Sequence, residues 1–399
     1  MGSIEKEGSV TDLPTLVAEL AREPWTWTGA DFGSSGNQRI PLLELGTEDL
    51  FRVQEALRAF KDLELDGGEI NRDNFPLPTL LDRLERAAVH IHQGCGFCIV
   101  RGLDPAKYSV EDNLLLFLGL GSYIGDLRGV QDRKGNVITH ITDSGQWKVP
   151  YSQRHGIHTN ADLPFHNDMG ADVLALQVRQ LAAKGGFSYV ASASQVLSEL
   201  VVSEPDVARS LFEAEWPIQV SGKSTRHVLA PLMQYHDGKL MVSLDPGRLG
   251  AHPATASLTA GAGIPPLTDA QRHALAAFSA AATKHRLQLD LQPGDLLFIN
   301  NWTLLHARDT YDDNGEAGMR RHMLRLWLRS SRLGWDVPPS LRTPWEAAFG
   351  TTGYGSTKPG LGSRNWLYPV VPAVEYEVPK YTAGSAAFVL EDSDEDDKE

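Results

Sequence analysis

In the stretch LPFHNDMGAD, residues 163–172, a histidine and an aspartate stand two apart among apolar and small residues. In an extended chain, residues i and i+2 project from the same face, so His166 and Asp168 can address one object while Asn167 points the other way. An imidazole and a carboxylate are two of the three ligands of a 2-His-1-carboxylate metal site, the arrangement that leaves positions open on a non-haem iron. The pair alone has a competing reading as a surface loop or a helix cap for Asp168. With 13 histidines and 51 acids in 399 residues, chance supplies about 1.7 such HxD or HxE pairs, and the chain has one.

A second constellation follows downstream. His306 closes an apolar run, FINNWTLLH, that reads as a strand, and the chain returns as RRHMLRLWL after Asn314-Gly315, a strong hairpin signal. On this reading His306 and the arginines lie on neighbouring antiparallel strands. Arg321 and Arg325 share a strand face flanked by Met323 and Trp327, and Leu324, Leu326 and Leu328 take the other. A strand this apolar is a buried one, where a guanidinium is costly unless an anion meets it. An internal acid is the common partner. Two same-face arginines beside candidate metal ligands point instead to a dicarboxylate or other anion bound next to the metal.

The remaining candidates take plainer readings. His140, His155 and His158 precede the motif without an acid or histidine at ligand spacing, and read as structural or as lining the mouth of a pocket. His90 and His92 fall on different faces of a helix, and His322 faces away from Arg321; all three read as structural. Cys95 and Cys98 form CGFC, a redox spacing, yet they open the apolar run GFCIVRGL, where buried cysteines serve as small hydrophobes.

Stepping along the chain, the first 120 residues are mainly helical in pattern: Thr47 can cap TEDLFRVQEALRAF, and PLPTLLDRLERAAVHIHQG repeats the periodicity up to Gly94. From GFCIVRGL onward, strands and turns are interrupted by two helical blocks, SASQVLSELVVSEPDVARSLFEA, broken at Pro205, and LTDAQRHALAAFSAAATKHR, starting after Thr268. Period-two alternation then takes over, with Leu287, Leu289 and Leu291 against Gln288 and Asp290, before Pro293-Gly294 turns the chain into LLFINN. This order implies a mainly β, α+β fold: a double-sheet jelly roll with N-terminal and inserted helices as cover. We divide it into a flexible N-terminus at 1–15, one jelly-roll domain at 16–385 and a disordered acidic tail at 386–399. Within the domain, 16–93 is helical, 94–335 is the core that carries the motifs, and 336–385 is an extension or lid.

With 42% apolar residues the chain can bury a large core. Its formal charge is −14, of which the final EDSDEDDKE supplies −6. An acidic balance without a basic stripe argues against nucleic acid as a partner. No apolar stretch has the length of a signal peptide or a membrane span, and Lys6 breaks the myristoylation pattern, so the expectation is a cytoplasmic protein without membrane association.

Taken in order, TNADLPFHNDMGADVLALQVRQLAAKGGFS, QPGDLLFINNWTLLHARDTYDD and RRHMLRLWL resemble the taurine dioxygenase-like (TauD/TfdA) branch of the iron(II) and 2-oxoglutarate-dependent oxygenases, including its fungal and clavaminate synthase-like members. The resemblance spans roughly residues 90–335. It implies a double-stranded β-helix (a cupin-like jelly roll) in which His166, Asp168 and His306 hold Fe(II). It further implies that Arg321 receives the distal carboxylate of 2-oxoglutarate, with Ser188 helping where threonine is frequent in the family. Arg325 matches a position that meets the substrate's anionic group in some members and supports the cosubstrate in others.

Three protein ligands leave three octahedral positions, two for a chelating 2-oxo acid and one for O2. The implied reaction couples decarboxylation of 2-oxoglutarate to succinate and CO2 with oxidation of a substrate C–H bond: hydroxylation by default, desaturation or cyclisation as variants. Arg325 leans the substrate toward a small molecule bearing a carboxylate or similar anion. Segments GQWKVPYSQRHGIHTN and SLRTPWEAAFGTTGYGS are the candidate mouth and lid. Two other readings stand beside this one: a non-catalytic jelly-roll binding protein, and a zinc-dependent hydrolase using the same three ligands with a bound water.

Overall fold

The computed structural model describes residues 12–33, 36–131, 136–143, 156–219, 227–250, 263–313 and 320–350. Several expectations therefore lie outside the described residues: the N-terminus through residue 11, His155, most of the mouth segment, the Asn314-Gly315 hairpin, the extension beyond 350 and the acidic tail.

Two sheets face one another. The larger runs Leu42–Glu44, Phe97–Arg101, Leu296–Asn300, Val173–Gln180, His322–Arg329 and Leu127–Arg128, with Ile138–Ile141 also paired along His322–Arg329. Its first pair is parallel and the others are antiparallel. The smaller, all antiparallel, runs Leu287–Leu289, Ser188–Ser192, Leu304–Arg308 and Leu163–His166. This is the jelly roll the strand pattern implied.

The alternation along His322–Arg329 shows how the layers are built. Met323 and Trp327 enter the layer between the sheets, with Leu174, Val190, Leu297 and Leu304. Leu324, Leu326 and Leu328 turn outward under the N-terminal helices, where they meet Leu84, Leu114, Phe117 and Phe298. Period two therefore buries both faces of one strand in two different cores. Helices Thr47–Asp62, Leu81–Gln93 and Val110–Gly121 cover this side of the larger sheet. Helices Leu13–Leu20, Ala193–Ser203, Pro205–Ser210 and Asp269–His285 cover the smaller sheet through Tyr189, Ala191 and Leu305.

Local chemistry sets the helix ends. Thr268 accepts from the Gln271 N–H while the Gln271 side chain reaches back to Thr268, so the long helix begins after Thr268, as its sequence implied. The helix after Glu44 starts one residue earlier than Thr47 suggests: Gly46 takes the cap, and the Asp49 carboxylate accepts its N–H at 2.9 Å. Helix Val110–Gly121 adds to the two blocks read after residue 97; its run LLLFLGLG is buried on every side and has no polar face for a period to reveal.

Two strand readings are corrected. FINNWTLLH is two strands, Leu296–Asn300 in the larger sheet and Leu304–Arg308 in the smaller. The Asn300 carboxamide accepts the Trp302 N–H at 3.1 Å and turns the corner between them. Consequently His306 and the arginines are not on neighbouring strands: Leu304–Arg308 pairs with Ser188–Ser192 and Leu163–His166, whereas His322–Arg329 pairs with Val173–Gln180. Placing successive strands in opposite sheets lets each bury an inner face, and the two sets of side chains meet across the interior. Among the described residues, no helix is long and apolar enough to cross a membrane.

Candidate metal centre

His166 and His306 are directly opposite each other in the smaller sheet, with ring centroids 4.1 Å apart. Strand Leu163–His166 ends at the first histidine, so Asp168 lies in the turn beyond it and not in the strand. Its carboxylate nevertheless returns to the histidines, and the ligand atoms of His166, Asp168 and His306 all lie within 4.8 Å of one another.

Two asparagines hold that turn. Asn167 points away from the cluster and is 1% exposed; its amide donates to the Val242 and Asn301 carbonyls, and its side-chain oxygen accepts the Leu244 N–H. Asn301, at the strand corner, accepts the Asp168 N–H at 2.9 Å and donates to the carbonyls of Asp168 and Ala171 at 2.7 and 2.8 Å. The buried backbone of a non-repetitive turn is thereby satisfied by side chains. Gly170 completes it at φ +99, where an added Cβ would sit 2.5 Å from the Pro344 carbonyl of helix Arg342–Phe349. The described part of the expected lid is this helix, and it packs against the back of the metal turn. Trp345, Trp302 and Arg329 all donate to the buried Asp172 carboxylate there.

The protonation states suit a divalent cation. Burial pushes His306 down to about 3, and the neighbouring His166 and Arg325 add to the shift, so the imidazole is neutral at ordinary pH. Burial works to raise the Asp168 carboxyl, but Arg325, His306, His166 and the Trp327 N–H outweigh it and leave the group below its usual range. The Nδ1 of His166 lies 2.7 Å from the Pro164 carbonyl, which fixes that nitrogen as the protonated one and leaves Nε2 as the lone-pair donor. Nδ1 of His306 is buried without a hydrogen-bond partner among the described residues. Two imidazoles and one carboxylate form a donor set that fits a non-haem iron.

The cavity lined by these ligands is also lined by Ser188, Arg308, Met323 and Arg321. Arg321 is 2% exposed, and its Nε and Nη1 have no hydrogen-bond partner among the described residues. Burial and the nearby Arg308 lower its pKa to about 9, so it is still a cation. Gly186 makes room for it, since at φ +70 an added Cβ would lie 3.0 Å from the Arg321 side chain. A buried cation with open donors costs several kcal/mol, and an anion in the cavity offsets that cost. Ser188 lines the same cavity, opposite Arg308 in the strand register.

Arg325 is placed differently. It spends Nη1 on Asp168, at 3.1 and 3.3 Å from the two oxygens, and Nε on Gln131 at 2.7 Å. Trp327, beside it on the strand face, donates its indole N–H to Asp168 Oδ2 at 2.8 Å. Gln131, Asn301 and Arg308 were not singled out by their sequence spacing. Only the Asn-Asn pair in FINNW offered a signal, as a turn. Of the other described histidines, His140 bonds His322 at 3.0 Å, and His92 bonds the Ala88 carbonyl at 2.9 Å. Cys95 and Cys98 are buried, and burial pushes both thiols up to about 12, so neither is a thiolate nucleophile.

Against known proteins, the family model described as "Taurine catabolism dioxygenase TauD, TfdA family" matches residues 59–327. The taurine hydroxylase-like protein SAT17 of the fungus Stachybotrys chartarum is 33% identical over 338 residues, 84% of this chain and 86% of that protein. Among solved structures, an asparagine oxygenase bound to Fe(II), 2S,3S-3-hydroxyasparagine and succinate superposes with a TM-score of 0.56 at 16% identity, covering 74% of this chain and 98% of that one. The non-heme iron oxygenase OrfP with Fe and alpha-ketoglutaric acid superposes with a TM-score of 0.52 at 17% identity, covering 73% and 94%. At these identities the structural likenesses speak for the fold.

Proposed function

The chain belongs to the TauD/TfdA family of taurine catabolism dioxygenases, and from that premise we propose that His166, Asp168 and His306 hold its iron(II) while Arg321 and Ser188 receive the distal carboxylate of 2-oxoglutarate. The protein is thus a non-haem 2-oxoglutarate-dependent dioxygenase, an oxidoreductase. The observation that carries the residue assignment is a single cavity lined both by the three-ligand cluster and by a buried guanidinium with open donors. A dicarboxylate that chelates a metal through one end needs its other end neutralised by a cation lining the same cavity. The readings as a binding module and as a zinc hydrolase give way to the family assignment.

When bound, iron with 2-oxoglutarate and O2 supplies the oxidising power for one C–H bond, with succinate and CO2 as coproducts. The chain's residues do the positioning. His166, His306 and Asp168 present three donors, Arg321 orients the cosubstrate, and the apolar walls, Leu174, Leu176, Leu297 and Ile299, keep water away. The substrate we propose is a small amino-acid-like or otherwise anionic metabolite. The substrate-derived amino acid in the asparagine oxygenase complex supports that class.

The test is anaerobic addition of Fe(II) and 2-oxoglutarate, with the visible charge-transfer band of the chelated oxo acid as readout. Oxygen is then admitted with a panel of amino acids, other small acids and neutral metabolites, and succinate is assayed. The band and substrate-dependent succinate are expected for wild type, and both are lost in His166→Ala and Asp168→Ala. Absence of the band in wild type rejects the site, and turnover restricted to neutral metabolites rejects the substrate class.

A further inference from the structure

We propose that Trp327 and a Gln131-latched Arg325 are positioning residues for the Asp168 carboxylate, so that Asp168 offers a metal Oδ1 alone and Arg325 is not the anchor for a substrate anion. This rests on the reading of His166, Asp168 and His306 as metal ligands. Oδ2 accepts the Trp327 indole N–H at 2.8 Å and lies 3.1 Å from Arg325 Nη1, while Oδ1 has the longer Nη1 contact at 3.3 Å. The lone pairs of Oδ2 are therefore engaged on the protein side, and Oδ1 is the oxygen left for a cation.

The guanidinium that helps hold Oδ2 is fixed in turn. Arg325 Nε donates to Gln131 Oε1 at 2.7 Å, and Gln131 Nε2 donates to the Val137 and Arg325 carbonyls at 2.6 and 3.0 Å. The Trp327 ring lies 5.0 Å from the guanidinium carbon, which closes the cradle into one buried unit. Arg321, four residues earlier, is the contrast: it is buried as deeply, but its Nε and Nη1 have no partner among the described residues. Of the two arginines on this face, one is built to receive an anion from the cavity and the other is committed to protein groups. Partners of a metal-bound carboxylate commonly tune affinity by 10- to 100-fold, which sets the effect to look for.

The experiment titrates Co(II) into metal-free full-length protein by calorimetry, follows its visible absorption, and then titrates 2-oxoglutarate anaerobically into the Fe(II) form. Trp327→Phe keeps the ring and removes the N–H. Gln131→Met keeps the bulk and frees the guanidinium, so the idea does not depend on one variant folding; thermal melts accompany both. Both variants are expected to bind Co(II) about 10- to 100-fold more weakly and with an altered absorption envelope, while 2-oxoglutarate affinity of the loaded protein moves less than metal affinity does. Wild-type affinity and spectrum in the folded variants overturn the proposal but leave the metal site standing. So does an Arg325→Lys variant that keeps Co(II) affinity and loses saturation by an acidic substrate. Failure of wild type to bind Co(II) rejects the underlying metal site itself.

Discussion

Arg321 shows how much one residue's surroundings decide. Its type and spacing allowed an internal salt bridge or a ligand anion, and the two open donors at 2% exposure favour the anion. Removing one partner of a buried charge pair costs roughly 2–5 kcal/mol. Arg321→Ala should therefore weaken 2-oxoglutarate binding by about 30-fold or more, read from the anaerobic charge-transfer titration, with Co(II) affinity unchanged. Arg321→Lys keeps the charge but loses the planar fork and should fall between the two. Unchanged 2-oxoglutarate affinity in Arg321→Ala would mean the carboxylate is received elsewhere.

At the scale of elements, the metal site depends on the corner between Leu296–Asn300 and Leu304–Arg308 as much as on the HxD stretch. Asn301 stands at that corner and serves the Asp168 N–H, the Asp168 carbonyl and the Ala171 carbonyl together. Asn301→Ala strands these buried groups, at a cost on the order of 3 kcal/mol. A lowered thermal midpoint and weakened Co(II) binding are expected together. A variant with a normal midpoint and normal metal affinity would show that the turn holds its shape without Asn301. The His166 and Asp168 pair became readable as a metal half-site only beside His306 and the arginines, and this clamp was not readable at all, since Asn301 is 133 residues from Asp168. The pairing of His306 with the arginines was misread for a related reason. An apolar run shows that a strand is buried without showing in which sheet, and the corner at Asn300 is a small signal inside FINNWTLLH.

Across the whole molecule, burial of neutral imidazoles predicts acid sensitivity. Burial pushes His140 down to about 3, His158 to about 4 and His322 well below the ordinary range. Below about pH 6.5 the unfolded chain takes up protons that the folded one refuses. Stability is thus full above that pH and falls as pH drops toward 4, by up to roughly 1.4 kcal/mol per pH unit for each histidine. Asp172 runs the other way, because burial raises it to about 6 and its protonated form favours the fold between there and the usual carboxyl range. The buried histidines outnumber it and leave a net loss. The thermal midpoint of metal-free protein should fall between pH 7.5 and 5, less steeply in a His140→Gln, His322→Gln double variant. A flat or rising midpoint on acidification would contradict neutral burial.

By itself the sequence determined the jelly-roll class, the helical cover, the chemical types around the cavity and the order in which they occur. Those features are written in short-range periodicity, turn residues and motif spacing, each of which acts within a few residues of its cause. The tertiary structure alone decided that His306 faces His166 across a strand pair, that Arg321 has open donors while Arg325 is committed to Asp168 and Gln131, and that two asparagines brace the metal turn. These depend on which distant segments become neighbours when both faces of each sheet are buried, and no local pattern encodes that choice.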